Sequence, residues 1–221
     1  MLEKFLKIET LSVVLIGDFN PVIFQPAWLA NKSLIRESEA EKAEIEVIHN
    51  ELNRFSLEWV EIEIAKNRCE FRSSKVAHFP LVRDLIVGIF SILQETPIKS
   101  FGMNHLYDLS LGTVQRYHAF GEALTPLNLW ATTLSKARLL DLQILEEDVS
   151  NAKNGRKRIQ ITPTPNSTIG FGVLISINNH FELNKPAHSA NEHIALLKEN
   201  WETSFLDARH IINEMLNKIS F

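Results

Sequence analysis

The stretch LSVVLIGDFNPVIFQPAWLA, residues 11–30, decides between two kinds of fold. An apolar run followed by a glycine, an acid and a helix start is the outline of a phosphate-binding turn, which would place the chain among parallel α/β nucleotide proteins. The details oppose that reading. A dinucleotide fingerprint needs glycines at close intervals so that backbone amides can approach phosphate, and a P-loop needs Gly-Lys-Ser/Thr before its helix. Here Gly17 stands alone, Asp18 would repel a phosphate, and Pro21 and Pro26 each lack an amide donor. The stretch therefore reads as a corner, where a strand over residues 11–17 meets a short helix opening at Pro26, with Asp18 and Asn20 capping the turn.

Outward from that corner the pattern becomes extended. Ile45 and Val47 alternate with Glu44 and Glu46, and Val60, Ile62 and Ile64 alternate with Glu61 and Glu63, the period of half-buried strands. Lys66-Asn67 turns the chain into a third strand, RCEFRSS. Pro80 then opens a helix whose Leu81, Val82, Leu85, Ile86, Ile89, Phe90 and Leu93 cover more than one stripe, with Pro97 just beyond its end. The second half repeats the order. SFGMNHLYDLSL (100–111) is a strand, TVQRYHAFGEAL a short helix and LNLWATTL an irregular linker. ARLLDLQILEED, GRKRIQITPTP and IGFGVLISINNHFEL are three strands joined by polar turns at VSNAKN and NST. The longest helix closes the chain. Ser189 and Glu192 suggest a capping box, and Ile194, Leu197, Trp201, Phe205, Ala208, Ile212, Met215 and Ile219 follow at spacings of three and four.

These elements predict an α+β fold with a curved, mainly antiparallel sheet and helices packed on one side. The repeated order predicts two β-α-β-β-β-α units, residues 1–98 and 99–221, related by a pseudo-twofold within one body. The rival is a single α+β domain without duplication. At 221 residues, with 45% hydrophobic and 23% charged residues, the chain is long enough to bury its own core. One cysteine, Cys69, excludes an intrachain disulfide and a thiolate metal cage. An N-terminus with Glu3 and Glu9 among its basic residues argues against a signal peptide, and no apolar run approaches the roughly 20 residues of a membrane span. A cytoplasmic location without membrane contact is the expectation. A formal charge of −4 gives no electrostatic footprint for nucleic acid.

No catalytic constellation assembles. GFG at 170–172 falls inside a strand, where glycines relieve crowding or form a bulge. His188 and His193 are five apart without a third ligand, so neither metal nor cofactor is expected. Glu44, Glu46, Glu61 and Glu63 on neighbouring segments read as a solvated face before they read as paired acids. His105 shares a strand face with Phe101, Met103, Tyr107 and Leu109, the ordinary place of a core histidine. Were His105 and Tyr107 to line a cavity, with Asp18 as a further polar group, they would become binding or acid–base groups. Arg156, Lys157 and Arg158, beside Lys153, either contact phosphate or blunt a strand edge. Trp201 and Phe205 read as core, Trp28 and Trp130 as plugs or interface anchors, and Leu57 with Trp59 as an exposed apolar patch.

AEIEVIHNELNRFSLEWVEIEI, FPLVRDLIVGIFSILQETPI and WETSFLDARHII resemble a family of conserved hypothetical bacterial proteins of similar length. That resemblance implies a bacterial, cytosolic origin and supplies no catalytic residue. The functional expectation is a non-enzymatic interaction protein that uses the sheet face or the helical layer against a protein partner or a second copy of itself. The alternative is a small-molecule-binding protein or enzyme with a pocket between the sheet and the C-terminal helix. The residues expected to bind are Leu57, Trp59, His105, Tyr107, Arg156 and Arg158.

Overall fold

The computed structural model describes residues 1–147, 155–183 and 189–219. The strands are β1 (Leu6–Gly17), β2 (Glu44–Ile48), β3 (Leu52–Leu57), β4 (Val60–Ala65), β5 (Arg68–Ser73), β6 (Ile98–Ser110), β7 (Leu142–Glu146), β8 (Arg156–Pro163) and β9 (Gly172–Glu182). The helices are α1 (Leu2–Phe5), α2 (Pro26–Asn31), α3 (Glu37–Glu41), α4 (Phe79–Ile92), α5 (Val114–Leu124) and α6 (Asn191–Lys218). The strands form one antiparallel sheet in the order β2-β3-β4-β5-β1-β6-β9-β8-β7. Strands β1 and β6 are paired at its centre, and the strands that follow each of them in sequence fan out to opposite sides. Among the described residues the sheet does not close.

The two faces differ because side chains alternate along every strand. One cross-strand row beneath the helices runs Phe55, Ile62, Phe71, Val13, Met103, Asn179, Lys157, Glu146, from β3 to β7. On the opposite face the row Glu44, Ser56, Glu61, Arg72, Ser12, Asn104, Asn178, Arg158, Leu145 crosses all nine strands and is polar until its last member. The core consists of two buried clusters. Helix α4 covers the first with Val82, Leu85, Ile86, Ile89 and Phe90, and the second lies around Tyr107, Phe120, Ile175 and Ile212, beneath the C-terminal half of α6. No described helix is long and apolar enough to cross a membrane.

The opening stretch is a corner. Asp18 N–H donates to Pro97 O at 3.0 Å and Phe19 N–H to Lys66 O at 2.8 Å. A Cβ on Gly17 would meet Pro97 O at 2.4 Å, so the crossing chain excludes any larger residue there. Asn20 caps the turn at Pro21–Ile23, its Oδ1 accepting from Val22 N–H at 3.3 Å. Asp18 makes no capping bond and is exposed, far along β1 from the Leu11–His105 pair, so it does not join His105 and Tyr107.

Four further expectations about the elements need correction. The first half has four strands after its helices rather than three, because β3 was hidden by Asn53. That residue faces the core, fully buried, and donates through Nδ2 to Pro21 O at 2.6 Å and Phe24 O at 3.0 Å, which satisfies turn carbonyls but breaks the apolar alternation. Glu44 and Glu46 are consequently not neighbours of Glu61 and Glu63, since β3 lies between them. The GFG motif lies at a strand entry: Phe171 has φ 51°, and β9 starts only at Gly172. Helix α6 begins after Ala190 without a side-chain cap, so the Ser189–Glu192 box does not form. The expected VSNAKN turn, with Lys153, lies outside the described residues, as does His188.

Candidate interaction surface and buried polar network

Leu57 and Trp59 do not form an exposed patch. Strands β3 and β4 are joined by Glu58-Trp59 alone, and the tightness of that turn directs Leu57 and Val60 together into the core. Trp59 is half-buried and donates through Nε1 to Glu39 Oε1 of α3 at 2.8 Å. Arg156 and Arg158 lie exposed on the open face, opposite His180 and Asn178 of β9. Lys157 between them points the other way, under α6, where its Nζ meets Asp207 Oδ2 at 2.7 Å and Glu146 Oε2 at 3.2 Å. Alternation thus splits the basic triplet across the sheet, with Arg156 and Arg158 on the open face and Lys157 on the other.

His105 and Tyr107 do sit on the core face, as expected, and α6 brings partners to them. Ser204 Oγ lies 2.7 Å from His105 Nε2 and accepts from Asn179 Nδ2 at 2.6 Å. Burial lowers the His105 pKa to about 4, against a smaller opposing pull from Asp207, so the ring is neutral at neutral pH. One turn along, Arg209 NH1 donates to buried Glu9 Oε2 at 2.5 Å, and the same guanidinium reaches Glu3. Glu9 Oε1 and the Tyr107 hydroxyl are buried without a hydrogen bond of good geometry, although each senses the other. Burial raises the Glu9 pKa despite the opposing influence of Tyr107, while burial and the Glu9 charge both push the Tyr107 hydroxyl up. Ser204 escaped the sequence reading, which followed Phe205. It occupies the core-facing stripe between Trp201 and Ala208 at spacings of three and four, and that spacing is the signal that marks it.

The network contains no activated nucleophile. Ser204 is held between an amide donor and a neutral imidazole in a packed layer, and burial pushes the Cys69 thiol well up, the opposite of what a reactive thiolate needs.

The exposed apolar residues concentrate elsewhere, on and before β7. Leu129, Trp130, Leu134 and Leu140 are exposed on the segment leading into the strand, and Ile144 and Leu145 project from its two faces. Ile144 ends the buried row Leu11, His105, Ile177, Ile159, and Leu145 ends the polar row of the open face. Strand β7 is the last in the sheet and pairs with β8 from Leu142 to Glu146 without a register shift. Of the devices that blunt an edge, charge, proline or a bulge, it carries only the terminal Glu146.

No known family model and no curated protein matches this chain, so its function rests on the geometry above.

Proposed function

We propose that the protein is a non-enzymatic interaction protein that works as an isologous dimer, two copies pairing antiparallel through β7. The observation that carries this reading is the unbulged β7 edge with apolar side chains on both of its faces. A twofold axis perpendicular to the sheet makes such an edge self-complementary, since every outward N–H and C=O of one copy meets its counterpart on the other. With the axis at Ile144, Ile144 meets Ile144 on the helical side, while on the open side Leu145 lies opposite Gln143 and is a diagonal neighbour of Leu145 of the other copy. Five paired residues bury less than the roughly 800 Å² per partner of a stable interface. The exposed Leu129, Trp130, Leu134 and Leu140 of the segment that leads into β7 supply further apolar surface for the contact.

Amide hydrogen exchange tests the reading. Pairing protects both sets of β7 amides, so residues 142–146 exchange as slowly as those of β8 at high protein concentration and lose protection on dilution. Fast exchange of β7 at every concentration would contradict it.

A further inference from the structure

Three strands from β7, between α4, α6 and the centre of the sheet, lies a pocket of about 140 Å³. Leu11, Met103 and His105 form its sheet side. Phe79 and Phe205, stacked edge to face at 6.2 Å between ring centroids, line it from the two helices together with Trp201. Exposed Val76, Pro80 and Glu202 mark its mouth.

We propose that this pocket binds a small uncharged molecule, which seats an aromatic or branched aliphatic group against Met103 and Phe205 and accepts a hydrogen bond from the His105 ring. The proton inventory of the network sets the direction of that bond. Asn179 Nδ2 already gives a hydrogen to Ser204 Oγ, so the single hydroxyl hydrogen of Ser204 is free to go to His105 Nε2. A ring that accepts at Nε2 carries its hydrogen on Nδ1. Among the described residues Nδ1 has no hydrogen-bond partner, and the ring lines the pocket. The pocket therefore offers one N–H donor in apolar surroundings.

The charge of the ligand follows from the same groups. Burial keeps the imidazole neutral, so it cannot repay the desolvation of a carboxylate, whereas a carbonyl or ether oxygen loses little on entry. The volume fixes the size: an apolar cavity of about 150 Å³ accommodates benzene. A small ketone, ester or amide bearing one ring or one branched chain is the class that fits.

The chain contains three methionines, Met1, Met103 and Met215, of which only Met103 lines the pocket. Carbon-13 methyl spectra of methionine-labelled protein therefore report the site with two internal controls. The probes are acetophenone, isopropylbenzene of nearly the same shape without the acceptor, and benzoate as the anion. Acetophenone is expected to shift the Met103 signal saturably while Met1 and Met215 stay fixed, to bind about tenfold more tightly than isopropylbenzene, and to outcompete benzoate. His105→Phe is expected to erase the ketone preference while the hydrocarbon still binds. Shifts that do not saturate, or that affect all three methionines alike, would overturn the site. Equal affinity of wild type for ketone and hydrocarbon, or preference for benzoate, would overturn the assigned chemistry even if the variant failed to fold.

Discussion

At one end of the sheet, β2 alternates Ile45 and Val47 with Glu44 and Glu46 and breaks register between Ile45 and Val47; at the other, β7 keeps its register with Gln143 and Leu145 in the corresponding open positions. Charge and a bulge oppose further pairing at the first edge, whereas the second carries only its terminal Glu146. The layer under the helices shows a parallel contrast. The row from Phe55 to Met103 is apolar across the first half, then becomes Asn179, Lys157 and Glu146 as it passes under α6. In the first half the ions stay outside: Arg54, Glu63, Arg68 and Glu70 form a ladder on the open face, joined to Ser12 through a 2.5 Å bond to Glu70. In the second half Arg209 and Lys157 reach beneath or beside α6 to buried or half-buried acids. One half is thus a finished, self-sufficient layer, and the other holds polar groups and an edge that a further surface would complete.

Removing an ion pair on each side separates the two designs most strongly. Arg209→Met leaves the Glu9 carboxylate buried and unpaired, and is expected to cost about 4 kcal/mol in urea unfolding. Arg54→Ala, in the exposed ladder, is expected to leave the urea midpoint nearly unchanged. Comparable losses for the two would erase the distinction.

Acid should expose the same contrast through His105. Its folded pKa of about 4 lies below the ordinary 6.5, so the folded state binds fewer protons between those values. Its contribution is fully present above pH 6.5 and is lost as the pH falls toward 4, a decline of about 3 kcal/mol. Burial likewise lowers His180 and His193, which adds to the decline, while the raised Glu9 acts in the opposite sense, its contribution present below about pH 4.5 and lost as the pH rises. Urea melts of wild type and His105→Phe at a series of pH values isolate the His105 share. Identical pH profiles would show that the ring is not held neutral.

At the edges, Ile144→Lys with Leu145→Lys is expected to weaken self-association by about a hundredfold by adding gatekeeper charges to β7. The matching pair Ile45→Lys with Ile48→Lys on β2 is expected to leave association unchanged. Sedimentation velocity of both variants checks this, and the reverse outcome would move the interface to the other edge.

Much of the architecture was legible in the residues themselves. Period-two alternation revealed β2, β4 and the central β6, and Pro26 and Pro80 marked the openings of α2 and α4. What escaped was set by contacts distant in sequence. Asn53 answers carbonyls about 30 residues away, so its own strand looked like loop. The burial of Leu57 depends on a two-residue turn whose tightness reverses the expected side. His105 could be placed on the core face from its neighbours, but its partner Ser204 lies 99 residues further on. That β7 is an edge, and therefore that Ile144 and Leu145 lack a neighbour, follows only from strand order, which no local pattern encodes.

Static light scattering of the wild-type chain across micromolar concentrations is expected to find a particle of twice the 25.3 kDa chain mass that dissociates on dilution. A 25.3 kDa particle at every concentration would contradict the dimer.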